Sequence, residues 1–414
     1  MNRAERTHVR YMRRMVSVLL VGLLCGTLED GGVDVPDGGA QSTSKEDTRL
    51  QAANASDLVG GAATASSAFT FGGYAEAFYQ WNFNAPSNGL TAWRGFDNRH
   101  NTFTISNVSL DVQWDYEGVV GRVALQVGHT PSSYYLAEPG QSGAAGVNAS
   151  GDVLWKYVQQ GFAGYRFPVG RGLLVQAGLF LSPIGPEGIA VRDNWNWSRS
   201  TLFFALPYYH TGVRASLPLT ERWVVTLAGY NGWNSVVDNN PEKSLSVQAT
   251  YAVPERLAVS LLYFGGVERN VGALEGRAFR HLLDAHVTWV ATPFLSLLLH
   301  GNGGFEPNAL GVSGWLGAAL AARFTVRTWL FVALRGDVLH ERRGVAQPIF
   351  FGVDLVGSAT GTVEVRPHPR VSFRLEYRRD QASAPLYFRG AVEGDGVTTP
   401  WVPTRNAQDT LTLG

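Results

Sequence analysis

From residue 69 onward the apolar side chains of this chain recur at every second position, and no other feature restricts the fold as strongly. Strict alternation describes a strand with one apolar face and one wet face, because successive side chains in extended backbone point to opposite sides. In 371–378, Val371, Phe373, Leu375 and Tyr377 share one face, and Ser372, Arg374, Glu376 and Arg378 the other. The same holds for Leu245, Val247, Ala249 and Tyr251 against their polar neighbours, and for Val108, Leu110, Val112 and Trp114. Leu283, Ala285, Val287 and Trp289 alternate likewise with Asp284, His286 and Thr288. About 16 segments follow this pattern: 69–83, 102–116, 119–129, 154–167, 172–181, 208–217, 222–231, 243–253, 257–266, 279–291, 294–304, 313–324, 328–338, 349–365, 370–380 and 407–414. Most reach the roughly 9–11 residues that a tilted strand needs to cross a bilayer.

The connections carry a second signal. They alternate between tight turns (117–118, 168–171, 218–221, 254–256, 292–293, 325–327, 366–369) and long loops at 84–101, 130–153, 182–207, 232–242, 267–278, 305–312, 339–348 and 381–406. A transmembrane barrel has short periplasmic turns and long outer loops around its whole ring. A large secreted all-β protein also has short strands bounded by turns, but it has no reason to alternate its connections throughout. Aromatics stand at many strand ends, as in membrane girdles: Tyr79, Trp81, Trp114, Tyr165, Tyr209, Trp223, Tyr251, Trp289, Trp315 and Trp329. The fold class read from these features is all-β, a transmembrane antiparallel up-and-down barrel of about 16 strands over 69–414. An even strand count leaves both ends of the barrel in the periplasm.

Composition agrees. Charged residues make up 16% of the 414, against roughly 25% in soluble proteins, and the formal net charge of zero argues against a nucleic-acid partner. Residues 1–26 read as an export signal, with Arg3, Arg6, Arg10, Arg13 and Arg14 ahead of a short apolar run at 16–24. That run is too short to span a bilayer as a helix. The single cysteine, Cys25, forms no intrachain disulfide, and Leu24 before it argues against a lipoprotein signal. The Gly-, Ala-, Ser- and Thr-rich segment 27–68 buries too little apolar surface to order itself and reads as a disordered periplasmic lead-in.

No P-loop, H-E-x-x-H, paired cysteine or G-x-S-x-G occurs, so the chain reads as a non-enzyme without cofactor or metal. His281 and His286 are five apart on a strand, hence on opposite faces, and do not share a metal. Asp97, Arg99 and His100 read as loop-ordering polarity rather than a catalytic cluster. A plugged transporter would need about 22 strands.

The wet faces give a candidate lumen lining. It comprises Arg122, Arg166, Arg214, Arg335, Arg374 and Arg378 with Glu76, Asp111, Asp284, Asp337, Asp354, Glu364 and Glu376. Rings of one sign create ion selectivity, but this set is mixed and declares no preference. Charges buried within a fold are normally paired, so about half are expected to be salt bridges across the wall. The loop 182–207 carries Glu187, Arg192, Asp193, Trp195 and Arg199, with Trp197, Phe203 and Phe204. Its aromatic content suits burial against the inner wall, which makes these residues the candidate pore constriction.

Three blocks also resemble a known family. They are F-G-G-Y-A-E-A-F-Y-Q-W with F-D-N-R-H-N at 96–101, G-L-F-L-S-P-I-G-P-E-G at 178–188 followed by D-N-W-N-W-S-R-S and Y-Y-H-T-G-V-R-A, and N-G-W-N-S-V-V-D-N-N at 231–240. In order and content they resemble the β-barrel porin-2 family, the OmpL-like outer-membrane porins. The resemblance implies a porin of loosely defined substrate in the bacterial outer membrane, in contact with outer-membrane lipid and inserted by the barrel-assembly machinery. Barrels of this class normally finish on a terminal aromatic, whereas this chain ends Thr410-Leu411-Thr412-Leu413-Gly414, so the last strand reads as cut short. The function expected is passive diffusion of small hydrophilic solutes or ions through a water-filled barrel, with oligomeric state left open. The alternatives are a surface-binding or structural barrel with a closed lumen, and a barrel-borne hydrolase.

Overall fold

The computed structural model describes residues 68–139, 155–342 and 349–414. The export signal and nearly all of the expected lead-in lie outside them. Sixteen strands close into one antiparallel barrel in which each pairs with its neighbours in sequence and β1 with β16. They are β1 (Phe69–Asn82), β2 (Thr102–Tyr116), β3 (Val119–Val127), β4 (Val158–Phe167), β5 (Leu173–Leu181), β6 (Tyr209–Pro218), β7 (Trp223–Tyr230), β8 (Ser244–Val253), β9 (Leu257–Val267), β10 (Phe279–Thr292), β11 (Leu295–Asn308), β12 (Gly311–Arg327), β13 (Leu330–Arg342), β14 (Leu355–His368), β15 (Val371–Ala382) and β16 (Ala407–Leu413). We call the connections at the long-loop end L1 to L8 in chain order: 83–101, 128–157, 182–208, 231–243, 268–278, 309–310, 343–354 and 383–406.

Closure removes the sheet edge, the condition for a strand structure to sit in hydrocarbon. The β1–β16 seam is short, with 79–82 against 410–413, whereas β1 and β2 pair from Phe69–Trp114 to Gln80–Thr102. The tight turns are built as their sequences suggest. Glu117 and Gly118 both have positive φ (50° and 84°), the geometry that matches the twist of a two-residue hairpin.

Several boundaries differ from the sequence reading: β4 starts at Val158 and not at 154, β13 runs on to Arg342 through residues read as loop, and two further differences have a visible cause. The apolar run 349–354 is not strand, because the Glu341 carboxylate accepts from the amides of Ile349, Phe350, Phe351 and Gly352 at 2.5–3.3 Å and folds L7 inward. Residues 305–312 are not a long loop either. Strand β11 continues through Pro307, paired with Val312, and Asn308 accepts from the Leu310 amide at 3.0 Å to make a tight turn.

The alternating faces sort as expected. Phe373 and Leu375 are 57% and 48% exposed on the outer wall, while Arg374 and Glu376 between them are each 1% exposed in the lumen. Outward aromatics form a girdle at the short-turn end (Tyr116, Tyr165, Trp223, Trp289, Trp329) and another at the long-loop end (Trp81, Phe103, Phe279, Phe305, Tyr377). Tyr209 and Trp315 do not belong to a girdle. Tyr209 is buried under Tyr134 and Tyr135 of L2, and Trp315 points inward, its indole N–H donating to Asn302 at 2.5 Å.

Phe373 sits near the start of β15, within the short-turn girdle and away from the midplane. An arginine there should cost about 0–1 kcal/mol, whereas Leu320→Arg, near the middle of β12, should cost about 2–4 kcal/mol. Unfolding of the two variants in lipid bilayers checks the ranking, and equal losses would mean that depth has been misassigned. Topology has its own test. Arg389 is exposed on L8, so trypsin added to intact cells should cut there and spare Arg171 and Arg222 in the short turns.

Candidate pore and its constriction

Loop L3 leaves the wall between β5 and β6 and folds into the lumen, where carboxylates of the opposite wall hold it. Asp284 of β10 accepts from the Gly185 amide at 3.1 Å. Asp337 of β13 accepts from the Thr201 amide at 2.8 Å and from its hydroxyl. Glu376 of β15 accepts from the amides of Trp197 and Ser198 at 2.6 and 3.0 Å, and Glu76 of β1 from that of Val191 at 2.6 Å. Such hydrogen bonds, one partner ionised, are roughly twice as strong as neutral ones.

Guanidiniums work in the opposite sense on L3 carbonyls. Arg374 donates to Val191 O and Asn196 O at 2.8 and 3.2 Å, Arg335 to Ser198 O at 2.6 Å, and Arg378 to Arg199 O. Arg335 also bridges Glu187 at 2.8 Å and Asp337 at 3.3 Å.

Apolar packing completes the attachment. Trp195 packs with Leu298, Ala321 and Ala333, and Trp197 with Phe78 and Val191. Each buried large side chain contributes roughly 2–3 kcal/mol. Two larger apolar clusters fill the long-loop half of the lumen. One joins Ala92, Ile184, Leu206, Trp233, Phe351 and Tyr387 from L1, L3, L4, L7 and L8. The other joins Phe96, Tyr134, Ile189, Phe203 and Val236 from L1 to L4.

Loop L2 opens with helix α1 (His129–Tyr134), and His129 Nε2 lies 2.5 Å from Asn98 of L1. Burial, aided by nearby Arg99, pushes the His129 imidazole down to about 4. The ring is therefore neutral at pH 7, and its contribution to stability is lost as pH falls from about 6.5 towards 4.

L3 and the remaining wall leave a cavity of about 160 Å³. On the loop side it is lined by Glu187, Arg192 and Asp193, and on the wall by Asp111, Arg122, Gln160, Arg214, Gln248, Thr250, Ser260, His286 and Thr288 from β2 to β10. Arg122 pairs with Asp111 at 2.5 Å, and Arg192 with Asp193 at 3.6 Å. Arg214 donates to Gln176 at 2.8 Å and lies 4.2 Å from the Phe180 ring centroid.

The candidate residues thus divide. Glu187, Arg192 and Asp193 line the cavity, but Trp195 and Arg199 do not. Arg199 is consumed within the loop, donating to the carbonyls of Gly188, Trp197 and Ile189. Of the lumen set, Asp111, Arg122 and Arg214 face the cavity. Glu76, Asp284, Arg335, Asp337, Arg374 and Glu376 hold L3, and Arg166 pairs with Asp115 at 3.0 Å at the short-turn end. The neutral polar residues Gln160, Gln248, Thr250 and Ser260 escaped the sequence reading, which weighed charge; their place on wet faces was the available signal. His281 stacks on Phe305 at the outer wall while His286 faces the lumen, and among the described residues no His, Cys, Asp and Glu group is arranged to hold a metal.

The family model described as "Putative beta-barrel porin-2, OmpL-like" matches residues 68–413. The chain belongs to this family. As an OmpL-like porin it resides in the bacterial outer membrane, and its function is that of an outer-membrane porin. No curated protein matches it. Among solved structures it is similar in fold to OmpT of Vibrio cholerae expressed in the outer membrane, with 10% identity and a TM-score of 0.50 over 84% of this chain and 98% of the other. An in-vitro folded form of OmpT is similar at 9% identity and a TM-score of 0.50, over 85% and 99% of the two chains. The in-vitro folded trimer form of OmpT has 10% identity and a TM-score of 0.50, over 84% and 98%.

Proposed function

We propose that this porin passes small hydrophilic solutes and ions between L3 and the β2–β10 wall, with Glu187, Arg192 and Asp193 facing Asp111, Arg122 and Arg214 across the narrowest part. The observation that carries the reading is the clamping of L3 across the lumen, beside which a cavity lined by groups of both signs remains along the β2–β10 wall. A narrow passage with paired charges selects by size first and by sign weakly. No covalent step is needed, so we read the chain as a channel and not an enzyme, with no cofactor. Lipid on the outer wall and the barrel-assembly machinery are the partners this reading implies, and the trimer form of OmpT supports an oligomer. Residues 1–26 serve as export signal and 27–68 as a periplasmic lead-in.

Single-channel recording in planar bilayers under a salt gradient tests the proposal. Small, discrete steps with a reversal potential near zero are expected. Strong selectivity for either sign would overturn the balanced lining. The apolar clusters in the outer half of the lumen favour a second reading, a closed barrel whose loops bind a partner. Absence of conductance in correctly folded protein would select it.

A further inference from the structure

Arg222, Val253, Arg256, Leu257, Val287 and Trp289 line one groove at the short-turn end of the barrel. Arg222 stands in the turn between β6 and β7, and Arg256 in the turn between β8 and β9. The backbone fixes both positions, since the Ala252 amide donates to Arg222 O and the Val290 amide to Arg256 O, each at 2.9 Å. Both arginines are exposed, and neither has a carboxylate partner among the described residues. Arg171 in the neighbouring turn, by contrast, is paired with Glu221 at 3.5 Å.

The other four lining residues share the outward faces of β8, β9 and β10, with Leu257 in register with both Val253 and Trp289. Trp223 and Tyr251 stand beside them, ring centroids 5.0 Å apart, at the level where amphipathic rings mark the headgroup boundary.

We infer that this groove binds an anionic phospholipid of the leaflet facing the periplasm, with its phosphate between Arg222 and Arg256 and an acyl chain along Val253, Leu257, Val287 and Trp289. Charge complementarity favours this occupant. Two guanidiniums without counter-ions among the described residues meet an apolar wall that continues into the hydrocarbon. A free anion would leave that wall unused, and an uncharged lipid would leave the arginines unmatched. A guanidinium near an anionic lipid surface contributes roughly fivefold to binding. The inference rests on the outer-membrane porin reading and adds to it a lipid site on the outside of the wall.

Native mass spectrometry of the full barrel, released from mixed phosphatidylglycerol and phosphatidylcholine, tests it. Wild type should retain phosphatidylglycerol in preference to phosphatidylcholine, and R222S/R256S should lose at least tenfold of that retention. Conductance and heat-modifiable gel mobility should stay unchanged. Equal retention of the two lipids, or no loss in the double variant, would overturn the inference. So would displacement of the lipid by millimolar inorganic phosphate, which would make this a simple anion site. A shift from oligomer to monomer in R222S/R256S would give the groove to a second copy of the chain instead. Failure of the porin reading has a separate signature, loss of conductance in wild type and variant alike.

Discussion

Deleting residues 187–200 from L3 should raise single-channel conductance severalfold and weaken whatever ion preference the intact protein has. The deletion removes Arg192 and Asp193 together with the Trp195 and Trp197 anchors, and so clears the strip of lumen along β10 to β15. The barrel should survive, because closure depends on the ladder of strand pairs and not on the loop. The experiment pairs bilayer recording with heat-modifiable gel mobility. Unchanged conductance in a deletion variant that keeps its mobility shift would sink the constriction and leave the barrel intact.

The second large effect concerns the wall that holds L3. Glu364 of β14 collects Arg323 at 3.1 Å, Arg366 at 2.9 Å and Arg374 at 3.1 Å, all with side chains at most 17% exposed. Glu364→Ala removes their shared counter-charge, and breaking a buried pair from one side costs about 3–5 kcal/mol. Because Arg374 also holds the carbonyls of Val191 and Asn196, the same change should loosen L3. Unfolding followed by gel mobility should show the loss, and single channels should become noisier. Glu364→Gln retains one acceptor and should fall between the two. A Glu364→Ala barrel as stable as wild type would mean that the three arginines are satisfied by other groups.

The sequence carried the barrel because its signal is local. Alternation within 371–378 or 244–251 declares a face without any knowledge of neighbours, and the turn lengths declare order around the ring. What stayed hidden depends on contacts between residues far apart. Nothing near Glu341 shows that its carboxylate will capture four amides of L7, so the apolar run 349–354 reads as strand. Trp195 and Arg199 look like pore residues because aromatics and charges in a long loop suit a constriction, but their orientation is set by β11 to β15. Trp315 reads as a girdle residue from its position near a strand end, yet it shares the inward face of β12 with Ala319, Ala321 and Arg323. Glu76, Asp337 and Glu376 were legible as lumen residues. That their partners are backbone amides of L3 was not, because a carboxylate that binds amides looks in sequence like one that binds cations.

The clamping of L3 has a consequence for the order of assembly. Glu187 bridges Arg335, and the amide of Trp197 bonds Glu376, across separations of 148 and 179 residues. Each such contact must wait until the intervening chain has been placed. The part of its docking surface that lies on β13 to β15 exists only once those strands stand in the ring with β5 and β6. The narrow channel is a late product of maturation, set after the cylinder around it has formed.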